Sequence, residues 1–301
     1  MSEVLTKPSL DEAITAAAEA VNDFLGSVLP DSTGPERRLH QAMRYGTLGG
    51  GKRLRPFLVA ESARLLGVDP RRALRASAAV ELVHSYSLIH DDLPAMDDDD
   101  LRRGQPSCHV AFDEATAILA GDALLTLAFE VLADSETHAD AAVRCDLVGG
   151  LSRAAGAVGM VGGQMIDLVS ENIISDATLI SRLERMKTGA LMAFSCEAGA
   201  IIAEASAEER ERLREFGYEL GLAFQIVDDL LDVEGDEAAL GKTVGKDVAA
   251  GKATFVSALG ADGARREALA LIDRAVARLQ PYGMAAEPLR AFCDYVLNRR
   301  S

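Results

Sequence analysis

From Leu10 to Leu29 apolar residues recur at Ile14, Ala17, Val21, Phe24, Leu25 and Val28, and this spacing of three or four continues through most of the chain. Such spacing marks amphipathic helices, each with one face to bury. Comparable stretches fall at 35–47, 53–67, 71–93, 111–133, 139–170, 176–204, 207–234, 247–259, 263–280 and 285–299. The breaks are short and carry Gly, Pro, Asp or Ser, as in Gly67-Val68-Asp69-Pro70 and Gln280-Pro281-Tyr282-Gly283, residues that cap or stop helices. Ser9 or Asp11 can cap the first helix, and Pro30 marks its end. No strand series of period two is visible, and no linker divides the chain. The expected fold is all-α: a single domain over 1–301, with about ten helices packed around a central cavity. With no Trp and only 5% aromatics the core must be Ala, Leu, Val and Ile, which suits close helix packing better than a β-sandwich.

Charge narrows the functions open to such a fold. Lys and Arg number 31 against 47 Asp and Glu, a net charge of −16. A chain this acidic is poorly suited to general nucleic-acid binding or to docking on an anionic membrane. The cysteines, Cys108, Cys145, Cys196 and Cys293, show no CxxC spacing. They read as reduced core thiols of a cytoplasmic protein, not as a disulfide framework or zinc site. The opening MSEVLTKPSLDE has no basic segment followed by an apolar stretch, so no signal peptide is visible. The apolar run from Ile118 to Phe129 is interrupted by Asp122 and is too short to span a bilayer.

Two acidic clusters follow apolar helices. The first, from His90-Asp91-Asp92 to Asp97-Asp98-Asp99-Asp100, puts six carboxylates within ten residues; the second is Gln225-Ile226-Val227-Asp228-Asp229-Leu230-Leu231-Asp232. Asp228 and Asp232, four apart, share one helical face. Pro94 disfavours helix at Leu93, so the backbone bulges there and can return Asp97 to the face of Asp91. A solvated acidic surface could tolerate this repulsion. At the ends of strongly apolar helices, neutralisation by hard cations is the more chemical reading. Mg²⁺ takes oxygen ligands and is typically held by one or two carboxylates plus substrate phosphates. An adjacent His-Asp pair also occurs in metal-dependent phosphohydrolases, but that chemistry needs further His ligands, and the chain's histidines are only His40, His84, His90, His109 and His138.

The chain has six lysines, and all except Lys7 stand beside or near glycine: Gly49-Gly50-Gly51-Lys52, Lys187-Thr188-Gly189, Gly241-Lys242-Thr243-Val244-Gly245-Lys246-Asp247 and Gly251-Lys252. Glycine lets backbone approach a ligand closely, and lysine supplies a point charge for a phosphate oxygen. For any single pair, a helix C-cap with a solvated lysine is an equal alternative; the repetition in a lysine-poor chain favours phosphate. Gly49 to Lys52 lacks the GxxxxGK[ST] spacing of a Walker A loop. Gly162-Gly163-Gln164 lies in a helical pattern and reads as close helix packing. Polar motifs at helix ends over an apolar bundle suggest a lipid-like diphosphate substrate.

With these residues in this order, the sequence resembles the trans-isoprenyl diphosphate synthases, and within them the bacterial short-chain enzymes. The stretch ELVHSYSLIHDDLPAMDDDDLRRGQPSCH, from Glu81 to His109, looks like their first aspartate-rich motif with two extra residues inside DDxxD. Gly49 to Pro56, Lys187-Thr188-Gly189, Gln225 to Asp232 and Gly241 to Thr254 match the other motifs in order, so the likeness covers roughly 35 to 299. The resemblance implies head-to-tail condensation of isopentenyl diphosphate with dimethylallyl or geranyl diphosphate to give farnesyl diphosphate, with three Mg²⁺ per site. It implies that Asp91 and Asp97 bind two of the ions with Asp92 supporting them, and that Asp228, and less directly Asp232, binds the third. Arg102, Lys187 and Lys242 would hold the allylic diphosphate, and Lys52, Arg55, His84 and Arg103 the isopentenyl diphosphate. Thr188 and Gln225 would lie near the allylic cation, and Asp247 and Lys252 in a loop that closes over the site. The departing diphosphate would take the proton lost in the last step. A homodimer is implied, with helices around 111–133 as interface candidates.

Product length has a geometric reading too. Ser87 and Tyr86 precede Asp91 by four and five residues, about 6 and 7.5 Å down a helix at 1.5 Å per residue. Tyr86 is bulky enough to close a tunnel there, and in the family an aromatic at this position goes with a C15 product; the alternative is that Tyr86 only packs in the core. A geranylgeranyl diphosphate synthase would keep this site over a deeper tunnel. A class I terpene cyclase would have no use for a second phosphate site at Lys52, Arg55 and His84, and a regulatory subunit would lack some acidic ligands. Arg299 and Arg300 could fold over the site but read better as solvated.

Overall fold

The structure, a computed structural model, describes residues 9–170, 177–234 and 254–299. Lys242, Lys246, Asp247, Lys252 and Arg300 lie outside the described residues.

The first helix, α1 (Leu10–Val28), starts at a capping box in which the Ser9 Oγ accepts from the Glu12 N–H and the Ser9 N–H donates to Glu12. This satisfies amide groups that a helix start leaves open. Then come α2 (Arg37–Leu48), α3 (Leu54–Leu65), a 3₁₀ turn (Pro70–Ala73) and α4 (Leu74–Asp91). After a short helical turn, α5 (Cys108–Ala111), follow α6 (Glu114–Ala133), α7 (Ala141–Ala155), α8 (Met160–Ser170) and α9 (Ala177–Glu184). A π turn (Arg185–Gly189) leads into α10 (Ala190–Ile202), and α11 (Ala207–Glu234), α12 (Phe255–Arg278) and α13 (Glu287–Asn298) complete the described chain. The all-α expectation holds.

Every residue of α10 is buried, and α4 is buried on nearly all sides. These two helices form the middle, and small residues let the others close on them. Gly199 of α10 lies against the backbone of Ser62 and Ala63 in α3, and Gly217 of α11 sits on Ala193; a Cβ on Gly217 would come within 2.6 Å of the Ala193 Cα. One apolar cluster gathers around α4, α6 and α7, including Leu82, Leu124 and Leu147; the second joins α3, α11, α12 and α13 through Phe57, Phe216 and Phe292.

Four local details differ from the sequence pattern. The stretch 139–170 is two helices, because α7 stops at Gly156 and α8 begins at Met160; Gly159 and Gly162 let carbonyl oxygens of the preceding turn stand where a Cβ would be. The stretches 247–259 and 263–280 are joined through Phe255–Arg278, with a kink at Gly260, whose φ of 68° suits glycine. A small hairpin pairs β1 (Leu101–Arg102) with β2 (Gln105–Pro106), where no strand was expected. Arg103 (φ 54°) and Gly104 (φ 75°) form its two-residue turn, the left-handed pair that tight hairpins favour. Finally, Cys108, Cys196 and Cys293 are buried, with thiols pushed up by desolvation, but Cys145 is exposed and not a core thiol.

α6 extends beyond the apolar run seen in the sequence to 20 residues, and its window of mean hydropathy 1.7 is apolar enough for a membrane span. One face, with Ala120, Leu124 and Ala128, packs in the core, while Ile118 and Leu119 are exposed at 44% and 57%.

Candidate active site

The first acidic wall is built by the end of α4. After Asp91 the chain folds back on itself. The Asp97 N–H donates to the Asp91 carbonyl at 2.9 Å, Asp98 to Leu93 at 3.2 Å and Asp99 to Asp92 at 3.2 Å. This is the bulge that Pro94 demands, and it returns Asp97 to the Asp91 end of the helix. Burial pushes the Asp91 carboxyl up to about 6; Asp97 and Asp92 add to this, while Lys187 and Arg102 oppose it. Asp92 is buried, and Arg102 of the hairpin grips it through Nε at 2.9 Å and through Nη2. Desolvation raises Asp92 despite that partner.

The basic loop before α3 is anchored by a residue that the motif pattern did not single out. Arg53 has a left-handed backbone (φ 50°), and its guanidinium is buried against Glu81 Oε1 (2.5 Å), Asn22 Oδ1 (3.0 Å) and the Thr47 carbonyl (2.6 Å). With Arg53 turned inward, its neighbours diverge. Lys52 is exposed, with its ammonium 5.8 Å from the Tyr295 ring centre. Arg55 faces His84, with Nη1 3.5 Å from the imidazole Nε2. Burial, then the Arg55 charge, holds His84 well below the usual histidine range, so it is a neutral ring that can accept from Arg55. The Arg55 Nε is buried without a partner. Arg103 reaches across from the hairpin to the Gly50 carbonyl, and its guanidinium stands 2.7 Å from where a Gly51 Cβ would be. Gly51 (φ 120°) is required by its backbone shape.

The second wall is on α11. Gln225 links two elements: its Oε1 accepts from the Thr188 hydroxyl at 3.2 Å, and its Nε2 donates to Asp229 Oδ1 at 3.2 Å. Asp229 is buried and also accepts the Phe255 N–H at 3.0 Å, so it serves the helix junction. Asp228 is half-buried, and the Arg299 Nη2 lies 2.7 Å from its Oδ1. The sequence reading of Arg299 as solvated is corrected: its side chain is 6% exposed, donates to the Phe224 carbonyl at 2.7 Å and stacks on the Phe224 ring at 3.7 Å. Asp232 is half-buried on the same helix.

Between the walls lies the π turn, a wide turn often found at functional sites, which carries Lys187 and Thr188. Lys187 Nζ pairs with Asp167 of α8 and also lies in the field of Asp91 and Asp97. Gly163 makes this possible: a Cβ there would stand 2.7 Å from the Lys187 Cα, which is the close helix packing expected of Gly162-Gly163. Glu184, one turn earlier, is 8% exposed with Oε2 unpartnered. Burial, then Asp229, pushes its carboxyl up to about 8, with Asp167 and Asp228 adding and Lys187 opposing. Lys187 thus feels the first acidic wall and Glu184 the second, and Arg55 feels Asp228 as well. Asp167 and Glu184 lie outside the matched motifs, and Arg53 and Glu81 lie inside them with no role assigned. Tyr86 is 6% exposed, with its ring edge-on to His90 at 5.7 Å and its hydroxyl raised to about 12 by burial and then by Asp91. The Ser87 hydroxyl instead donates back to the His84 carbonyl at 2.9 Å.

Glu184 supplies a stability test. It releases its proton near 4.5 in an unfolded chain and at about 8 in the fold, so between those values the folded chain binds more protons. Its ionisation therefore erodes stability as pH rises through that window. In EDTA, melting temperature should fall less steeply from pH 5 to pH 8 in Glu184→Gln than in the unaltered chain. Equal slopes would show that Glu184 is already ionised.

Hard divalent cations fit this donor set. The donors are carboxylate oxygens, and Asp91 is held where ionisation is unfavourable without a cation nearby. Among the described residues no three ligating side chains already converge.

A family model described as polyprenyl synthetase matches residues 36–280. The farnesyl diphosphate synthase of Escherichia coli (strain K12) is 43% identical over 299 residues, covering 96% of this chain and 97% of its own. A crystal structure of an FPP/GFPP synthase from Zymomonas mobilis is 46% identical with a TM-score of 0.87, covering 96% of this chain and 98% of that one. The geranylgeranyl pyrophosphate synthetase structure from Pyrococcus horikoshii Ot3 is 31% identical with a TM-score of 0.88, covering 96% and 98%.

Proposed function

Because the chain belongs to the polyprenyl synthetase family, we propose that it is a prenyltransferase that condenses isopentenyl diphosphate with an allylic diphosphate to give farnesyl diphosphate. What supports this reading is a chain of charges: Lys187 lies in the field of Asp91 and Asp97, Glu184 in the field of Lys187 and Asp228, and Arg55, beside His84, in the field of Asp228. One group of residues suits a metal-bound leaving diphosphate, and the other suits a second phosphate that stays on its carbon chain.

Asp91, Asp97 and Asp228, supported by Asp92 and Asp232, would hold Mg²⁺, and three ions are expected. Bound there, the ions supply positive charge that makes the diphosphate a leaving group. Lys187 and Arg102 add charge to the allylic diphosphate as its C–O bond breaks and the electron pair leaves with oxygen, which is preorganised stabilisation of a developing anion. Lys242 and Lys252 join this set by resemblance and lie outside the described residues. Lys52, Arg55, His84 and Arg103 would hold isopentenyl diphosphate so that its double bond faces the allylic carbon; such positioning can remove several kcal/mol of barrier. The Thr188–Gln225 pair lines the path of the cation with oxygen dipoles. The electron pair of the isopentenyl double bond forms the new C–C bond to the allylic carbon, and loss of a proton to the departed diphosphate then restores a double bond. Exposed Ile118 and Leu119 on α6 support a homodimer closed through that helix, in the cytoplasm.

The direct test is Mg²⁺-dependent diphosphate release from geranyl diphosphate with and without isopentenyl diphosphate. Release that needs isopentenyl diphosphate, with a C15 product, is expected; equal release without it would point to a cyclase or hydrolase. Tyr86 marks the floor of the product tunnel. Tyr86→Ala should shift chromatographed products from C15 to C20 or longer, and an unchanged C15 profile would show that Tyr86 only packs.

A further inference from the structure

Among the described residues, three cations near the acidic walls are engaged by carboxylates of the chain itself. Arg102 grips Asp92, Lys187 pairs with Asp167, and Arg299 pairs with Asp228. The third pair differs from the first two. Asp92 is buried behind the wall and Asp167 lies on α8, whereas Asp228 is the residue of the second wall assigned above to a metal ion. Arg299 is also bound unusually firmly for a residue just past the last helix. The same Nη2 reaches the Asp228 carboxylate and the Phe224 carbonyl one turn earlier, at 2.7 Å each, and the guanidinium plane stacks on the Phe224 ring. Its side chain is 6% exposed, and its Nε is buried without a partner. A guanidinium on Asp228 competes with a divalent cation there, because the two positive charges repel and both draw on the lone pairs of the same carboxylate.

We propose that Arg299 is an internal placeholder for the metal at the second wall: it occupies Asp228 in the ligand-free chain and is displaced when a divalent cation binds there. This rests on the assignment of Asp228 as a metal ligand under the proposed function. Arg299 acts through Asp228 and is therefore a positioning residue. It keeps the carboxylate aimed along the α11 face before the ion arrives, at the expense of affinity for the bare ion. A binding site whose competent state is only partly populated shows a weakened apparent Kd, and removing the competitor restores it.

The test uses the full chain and Mn²⁺ alone, with free ion followed by electron paramagnetic resonance. In Arg299→Gln the apparent Kd of the affected site should fall about tenfold, while Arg299→Lys, which keeps a cation over Asp228, should stay near the unaltered value. In an Asp228→Asn background, Arg299→Gln should change nothing. Unaltered or weaker Mn²⁺ binding by Arg299→Gln would overturn the proposal and make Arg299 a purely structural strap. Should Arg299→Gln fail to fold, the unaltered enzyme gives a second measurement. In ¹⁵N-arginine spectra, the Arg299 side-chain signal, assigned by its loss in Arg299→Lys, should move on saturation with Mg²⁺. A signal that stays in place means that Arg299 keeps Asp228, which also overturns the proposal. Failure of the two readings is separable. Normal C15 synthesis with unchanged Mn²⁺ affinity sinks only the placeholder, whereas an enzyme that never joins the two diphosphates sinks the prenyltransferase reading and leaves the Mn²⁺ comparison intact.

Discussion

Replacing Asp91 with alanine should lower the rate of product formation by about a hundred- to a thousandfold, the scale of losing a principal electrostatic group at a reacting centre, while leaving the fold as stable as before or more so. The two effects have one cause. Asp91 sits at the end of a helix buried on nearly all sides, and desolvation raises its carboxyl to about 6. An acid whose folded value lies above its unfolded value contributes instability once it is ionised, so at pH 7.5 the ligand-free protein gains nothing from this charge. The charge is useful only when a cation and a diphosphate are present. Incorporation of labelled isopentenyl diphosphate at saturating metal measures the first effect, and thermal melting in EDTA measures the second. A rate within tenfold of the unaltered enzyme would remove Asp91 from the metal set. A large drop in melting temperature would mean that its role is structural.

Glu81→Ala should produce the largest loss of stability, about 3–5 kcal/mol by urea unfolding, because it strands a buried charge. Arg53 and Glu81 have side-chain exposures of 0% and 3%, and their guanidinium–carboxylate contact is 2.5 Å. Without Glu81, Arg53 retains only the neutral oxygens of Asn22 and Thr47. Function should change through position, since Arg53 fixes the loop from which Lys52 and Arg55 diverge. The KM for isopentenyl diphosphate should therefore rise more than the KM for the allylic substrate. A stability loss below about 1 kcal/mol, the range of an exposed pair, would contradict the burial of this ion pair.

Periodicity carried most of the fold. The apolar spacing that marks α1, α4 and α11 depends on residues three and four apart, and those are near in space whenever the chain is helical. Pro94 likewise announced the bulge after Asp91, because its steric demand acts on its immediate neighbour. Glycine was ambiguous. Gly156 to Gly162 reads as continuous helix by pattern, yet the carbonyls of the preceding turn occupy the space where side chains would be. Charge was more ambiguous still. Arg53 and Arg55 stand two apart across the start of α3, and only the left-handed backbone at Arg53 sends the first to a buried glutamate and the second to His84.

The sequence by itself determined that this chain is helical, acidic, and equipped with two aspartate clusters and a set of glycine-flanked cations that suit diphosphates. Only the tertiary structure decided which charge answers which: Lys187 to Asp167, Arg53 to Glu81, and Arg299 to Asp228 from 71 residues away along the chain. The reason is physical. Local propensity is set by contacts within a turn of helix, whereas the partner of a charge is set by which helices pack side by side and by how little water is left between them.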